Sequence, residues 1–225
     1  MHIEPGIVDG AKIVLSYATA ATAGACAIKL AATTARERGV VSLAVRTAAT
    51  TALVFSFFEI LPHFSVGVSE VHFIFGSTLF LLFGAAPAAL GLALGLLLQG
   101  LFFVPSDLPQ YGMNVTTLLV PLFAINALAE RIIARDTAYV DLRYGQALSL
   151  SSAYQAGIVA WVAFWALYGR GFGAENLASI ATFAGSYALV IVVEPLVDLA
   201  VLALAKSLRG LSDGAFVTAR LHHPA

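Results

Sequence analysis

The first two residues, Met1 and His2, carry three nitrogen donors in chelating order: the α-amine, the His2 amide nitrogen and His2 Nδ1. Together they can close fused five- and six-membered rings around one metal ion. The amide must lose its proton to bind. Tetragonal nitrogen coordination of this kind favours Ni(II) or Cu(II), and Co(II) can be held similarly. One equatorial position stays open, and a second histidine from another segment would fill it. His63 and His72 are the candidates, whereas His222 and His223 in the C-terminal tail read as solvated. A lone histidine is more often structural than ligating, so the Met-His pair is what singles out His2. The amine is expected to be free. Glu4 and Asp9 stand where a secretory signal would have a basic stretch. Removal of the initiator methionine also generally needs a small second residue.

An unusually apolar chain must position these donors. Of its 225 residues, 60% are hydrophobic and 11% charged, with a mean hydropathy of +0.89. Ordinary soluble domains carry about 25% charged residues, and a soluble protein of this size could not hide so much apolar surface. A bilayer core needs roughly 20 apolar residues per helix. The runs that qualify are 10–33, 40–61, 71–84, 86–104, 113–134, 148–168 and 177–205. The third and fourth are one long run, divided within "FGAAPAAL" (83–90) because Pro87 suits the first turn of a new helix. The third is short for a full span. Pro121 falls inside the fifth, where a membrane helix tolerates a kink. Glu194 and Asp198 fall in the seventh, and an arginine inside the bundle is their expected partner. Cys26 has no second cysteine to pair with and reads as a small apolar residue. The expected fold is an all-α integral membrane bundle of seven transmembrane helices in one domain, 1–225.

Seven crossings place the termini on opposite sides, and basic residues decide which is which. With the N-terminus outside, the cytoplasmic ends hold Lys29, Arg36, Arg38, Arg46, Arg131, Arg135, Arg143, Lys206, Arg209 and Arg220, against Lys12 and Arg170 outside. The C-terminus is then cytoplasmic. The outer ends gather Met1, His2, Glu4, Glu59, His63, Glu70, His72, Asp107 and Asn114. A net charge of -1 gives no pull toward nucleic acid. No phosphate-binding loop of the G-x-x-x-x-G-K-[ST] kind and no H-E-x-x-H cluster is present, so neither an ATPase nor a metallohydrolase is expected.

Four motifs occur in order along this hydropathy profile: "MHI" with Gly6, "SEVHFIFG" (69–76), "LLLQGLFF" (96–103) and "YGMNVTTLLVP" (111–121). With them the chain resembles the membrane substrate-capture component of energy-coupling-factor (ECF) cobalt and nickel importers, the CbiM/NikM family. The resemblance implies that residues 1–9 enter the bundle from outside. It implies that the metal is held by the Met1 amine, the His2 amide and imidazole, and His72. Asn114 corresponds to an asparagine that helps hold the N-terminal segment, and Gln99 to a position read first as packing. The chain departs from the family pattern in its Glu4-Pro5 order, in Glu70 where a small residue is usual, and in His63 close before His72. Glu70 and His63 could make the site richer in donors, which keeps Zn(II) beside Ni(II) and Co(II).

The resemblance also implies the assembly. The metal ion is cargo, with no permanent cofactor. The partners are a transmembrane coupling subunit of the CbiQ/NikQ type, ATPases of the CbiO/NikO type and a small accessory membrane protein of the CbiN/NikN type. The location is the cytoplasmic (inner) membrane of a bacterium or archaeon. Ala44, Ala48 and Ala52 form a small-residue stripe suited to close helix contact. It is either the face for the coupling subunit or a contact within the bundle. Gly91 and Gly95 form a second such pair, expected to pack internally. The competing reading is a stand-alone carrier or channel for divalent metals that works without ATPase partners.

Overall fold

A computed structural model describes residues 2–207 and 216–224. The expected ligand Met1 and the inner-side Arg209 lie outside the described residues. The apolar runs form helices α1 (Ile13–Arg38), α2 (Val40–Ile60), α3 (Gly76–Phe83), α4 (Ala85–Phe102), α5 (Tyr111–Ile132), α6 (Tyr144–Arg170) and α7 (Ala174–Ser207). Gly39 (φ 85°) separates α1 from α2, and Gly84 (φ 88°) separates α3 from α4. Both conformations suit glycine because other residues meet a Cβ penalty there. Pro87 sits in the first turn of α4, and Pro121 stays inside α5.

The central helices are α4 and α5, with 56% and 67% of their most apolar windows buried, against 17% for both α1 and α2. Small residues let helices approach. A side chain at Gly91 or Gly95 of α4 would strike Thr50 or Val54 of α2, and Gly157 of α6 faces the Pro121 ring. The Gly91 and Gly95 pair therefore packs internally, as expected.

Two expectations need correction. Six helices among the described residues are long and apolar enough to cross a membrane, rather than seven. The exception is α3, whose eight residues rise only about 12 Å. The fold is also not wholly helical. Strands β1 (Phe64–Val66) and β2 (Ser69–Val71) pair antiparallel in a hairpin, and Ile3 bridges to Ser69 beside it. Residues 72–75 link β2 to α3 without regular secondary structure, and Phe75 turns left-handed just before α3 begins.

The two ends of the bundle are told apart along α2. Phe58, near one end, packs edge-on against the His2 ring with centroids 6.2 Å apart. Arg46 lies twelve residues earlier, about 18 Å along the helix. Its guanidinium donates to the Phe83 carbonyl at 2.7 Å. The described C-terminal segment covers that second end. The Thr218 N–H donates to the Leu82 carbonyl at 2.7 Å, Leu221 is buried, and Arg220 lies over the Tyr139 ring. N-terminal and C-terminal segments thus occupy opposite ends.

Candidate metal centre

The site is built by the N-terminal segment lying against the hairpin. The Glu70 N–H donates to the His2 carbonyl at 3.0 Å, and the Glu4 N–H donates to the Val68 carbonyl at 3.2 Å. Ser69 Oγ donates to the same His2 carbonyl at 2.9 Å. From the other side, the Ile3 N–H donates to Asn114 Oδ1 of α5 at 2.9 Å. The chain then reverses. The Ile7 N–H donates to the Glu4 carbonyl at 3.1 Å, with Pro5 and Gly6 as the central pair and Gly6 at φ 81°. Proline first and a positive-φ glycine second are what a type II turn needs. Beyond it Ile7 and Val8 are buried.

This seat brings three donors together. His2 Nδ1 lies 2.7 Å from Glu70 Oε2, and His72 Nε2 lies 2.8 Å from the same oxygen. The donor atoms of His2, Glu70 and His72 all fall within 4.8 Å of one another, close enough to share one ion. Both imidazoles are buried, and the Glu70 side chain is a quarter exposed. His2 Nε2 faces Asp107 at 3.7 Å. That is beyond hydrogen-bond length, but it puts a carboxylate on the side of the ring turned away from the shared point. Among the described residues the His2 N–H makes no backbone hydrogen bond.

The protonation states suit a cation. Burial pushes the His72 imidazole down to about 3 from its ordinary 6.5, and burial also lowers His2. Burial by itself would raise Glu70, but hydrogen bonds to His2 and His72 outweigh it and hold the carboxyl well below its usual range. At neutral pH the cluster is two neutral imidazoles around one carboxylate.

His72 and Glu70 are therefore brought to His2, and Asn114 holds the neighbouring backbone. His63 is not among the three donors. Its exposed ring stacks on the His72 ring at 4.8 Å and 9°, while its Nδ1 faces the Leu61 carbonyl at 3.3 Å. Gln99 is buried in α4, and its Oε1 has no partner among the described residues. Asp107 stood among the outer acids in the sequence, but nothing in its spacing marked it as the residue behind His2. Among the described residues, Glu194 and Asp198 do not meet an arginine. Glu194 Oε1 accepts the Ile74 and Phe75 N–H groups, and Asp198 accepts from Ser77 and Thr78.

Residues 2–210 match the model of a family described as the cobalt uptake substrate-specific transmembrane region, CbiM. The chain belongs to the CbiM family. Two solved structures share its fold. A transition metal transporter aligns over 99% of this chain and 96% of its own, with a TM-score of 0.70 at 16% identity. A truncated transition metal transporter aligns over 92% and 97%, with a TM-score of 0.62 at 18% identity. No curated protein matches the sequence. The CbiM chain is a multi-pass membrane protein, and metal transport is the function its family carries.

Proposed function

We propose that this CbiM-family chain is the substrate-binding component of an ECF-type importer for Ni(II) or Co(II). The supporting observation is the convergence of His2 Nδ1 and His72 Nε2 on one point, now held by Glu70 Oε2. The ligands in this reading are the Met1 amine, the His2 amide and Nδ1, and His72 Nε2. Asn114 and Asp107 hold the His2 segment. Glu70 moves aside or adds an oxygen donor, and with oxygen in the set Zn(II) also fits. Lys12 and Arg170 share the end that carries the centre, and Arg46 and Arg220 the opposite end. The basic-residue rule then puts the centre outside and the C-terminus in the cytoplasm. The membrane is the inner membrane of a bacterium or archaeon.

ATP hydrolysis belongs to CbiO/NikO-type partners acting through a CbiQ/NikQ-type coupling subunit, with a CbiN/NikN-type accessory protein beside them. Ala44, Ala48 and Ala52 are exposed and line an apolar groove between α2 and α4 with Leu90, Leu94 and Leu98. Their exposure supports the coupling subunit, rather than a neighbour within this bundle, as their contact.

The test counts protons as well as metal. His2 and His72 are already neutral and Glu70 already ionised, so side-chain ligation releases essentially none near pH 7. The amine, with an ordinary pKa of about 8, and the amide together release roughly two. Calorimetry in buffers of different ionisation enthalpy reads this number. Roughly two protons, a square-planar nitrogen spectrum, and loss of both when residues are added before Met1 are expected. Tight binding without proton release, unaffected by the extension, would leave only a side-chain site.

A further inference from the structure

Residues 72–75 link β2 to α3 without regular secondary structure, and His72 and Ile74 among them are buried. Three of their backbone groups find partners on α7. Glu194 Oε1 accepts the Ile74 and Phe75 N–H groups, each at 3.0 Å. Its second oxygen accepts from the Gln155 side-chain amide. One turn further on, Asp198 accepts from Ser77 Oγ at 2.7 Å and from the Thr78 hydroxyl. Two turns before Glu194, the Tyr187 hydroxyl donates to the His72 carbonyl at 3.3 Å. One face of α7 thus holds the chain from His72 to the first turn of α3.

Both carboxylates are buried, and neither forms an ion pair with a cation among the described residues. Phe75 is held at φ 54°, the one left-handed non-glycine among the described residues, a conformation that persists only where its surroundings impose it. Only Phe73 and Ile74 lie between this pinned point and His72. The same helix supports the other half of the centre, because the hairpin turn at Gly67 presses on the Ser179 carbonyl with no room for a Cβ.

We propose that Glu194 is a positioning residue for metal capture. By fixing the Ile74 and Phe75 N–H groups it aims His72 Nε2 at His2 Nδ1, and Tyr187 and Asp198 secure the two ends of the held stretch. The inference rests on the reading of His72 as a ligand. Its consequence is that the hairpin seating His2 and the segment carrying His72 both hang on α7, so displacement of α7 parts the ligands.

The test uses full-length protein with its native N-terminus in detergent, titrated with Ni(II). X-ray absorption counts imidazole ligands, and melting of the metal-free protein is recorded beside it. Glu194→Leu is expected to weaken binding about 10- to 100-fold, the range for loss of a partner behind a metal ligand, and to remove one imidazole from the spectrum. Glu194→Gln keeps an oxygen acceptor for both N–H groups and is expected to restore most of the affinity and both imidazoles. Tyr187→Phe is expected to lose less in the same direction. Wild-type affinity and imidazole count in Glu194→Leu would overturn the proposal. So would a Glu194→Gln protein as impaired in binding as Glu194→Leu. If Glu194→Leu does not fold, Tyr187→Phe decides, and an unchanged affinity and imidazole count there overturns it. His72→Ala separates the underlying reading. Unchanged binding in that variant sinks the ligand set itself, whereas binding sensitive to His72 but not to Glu194 sinks only the positioning role.

Discussion

His63 and His72 stand nine residues apart and do different work. Only His72 turns a nitrogen toward His2, while His63 covers its ring face. His72→Ala is therefore expected to weaken Ni(II) binding by more than the 10- to 100-fold typical of losing a residue behind a ligand. His63→Ala loses a ring contact worth about 0.5–1.5 kcal/mol, so its effect on affinity stays within about tenfold; parallel titrations decide between them. Acid should loosen the metal-free centre. The folded His72 pKa of about 3 lies below its ordinary 6.5, so between these values the unfolded chain binds more protons, and stability falls as pH falls. Glu70, also depressed, acts in the same direction below its ordinary 4.5. The melting temperature of the metal-free protein is expected to drop as pH is lowered from about 6.5 to 4. His72→Ala should flatten the part of that decline above pH 5. An unchanged slope in that variant would place the acid sensitivity elsewhere.

The N-terminal segment keeps its place because α6 has no side chain where the segment crosses it. A Cβ at Gly169 would land on the Ile7 carbonyl oxygen. Overpacking of this kind costs about 1–3 kcal/mol. Spent on unseating the segment, that is about a 5- to 150-fold loss of metal affinity. Gly169→Ala is expected to bind Ni(II) that much more weakly while the helical circular dichroism is unchanged; wild-type affinity would show that Ile7 can give way without moving His2. Local pattern made the helices legible. The run at 40–61 became Val40–Ile60, and the run at 177–205 became Ala174–Ser207. Failure came where a distant residue governs the backbone. Residues 71–75 are apolar enough for a helix, but Glu194 takes the Ile74 and Phe75 N–H groups from about 120 positions away, and periodicity carries no trace of that. The hairpin was hidden likewise, because its strands have three residues each and its neighbour is Ile3. His2 was legible because its chemistry is local to Met1, and Asp107 was not because only the fold brings it behind the ring.

At the scale of the whole molecule, the candidate metal centre and the alanine-lined groove occupy different surfaces. The centre lies at one end, between the N-terminal segment, the hairpin and α5. The groove bearing Ala44, Ala48 and Ala52 runs along the outer face of α2 and α4. These surfaces share α2, since Phe58 touches both the His2 and His72 rings while the exposed alanines look outward. A bulky residue in the groove should therefore spare binding and block whatever docks there. Ala48→Trp is expected to leave the Ni(II) affinity and spectrum of the purified chain unchanged and to abolish metal uptake in cells carrying the complete transport system. Detergent pull-down should show the coupling subunit lost from the complex, because close helix contact in lipid depends on small residues at the crossing. Full uptake with Ala48→Trp would move the docking face elsewhere. Uptake by the wild-type chain expressed alone, equally indifferent to the substitution, would favour a carrier that needs no ATPase.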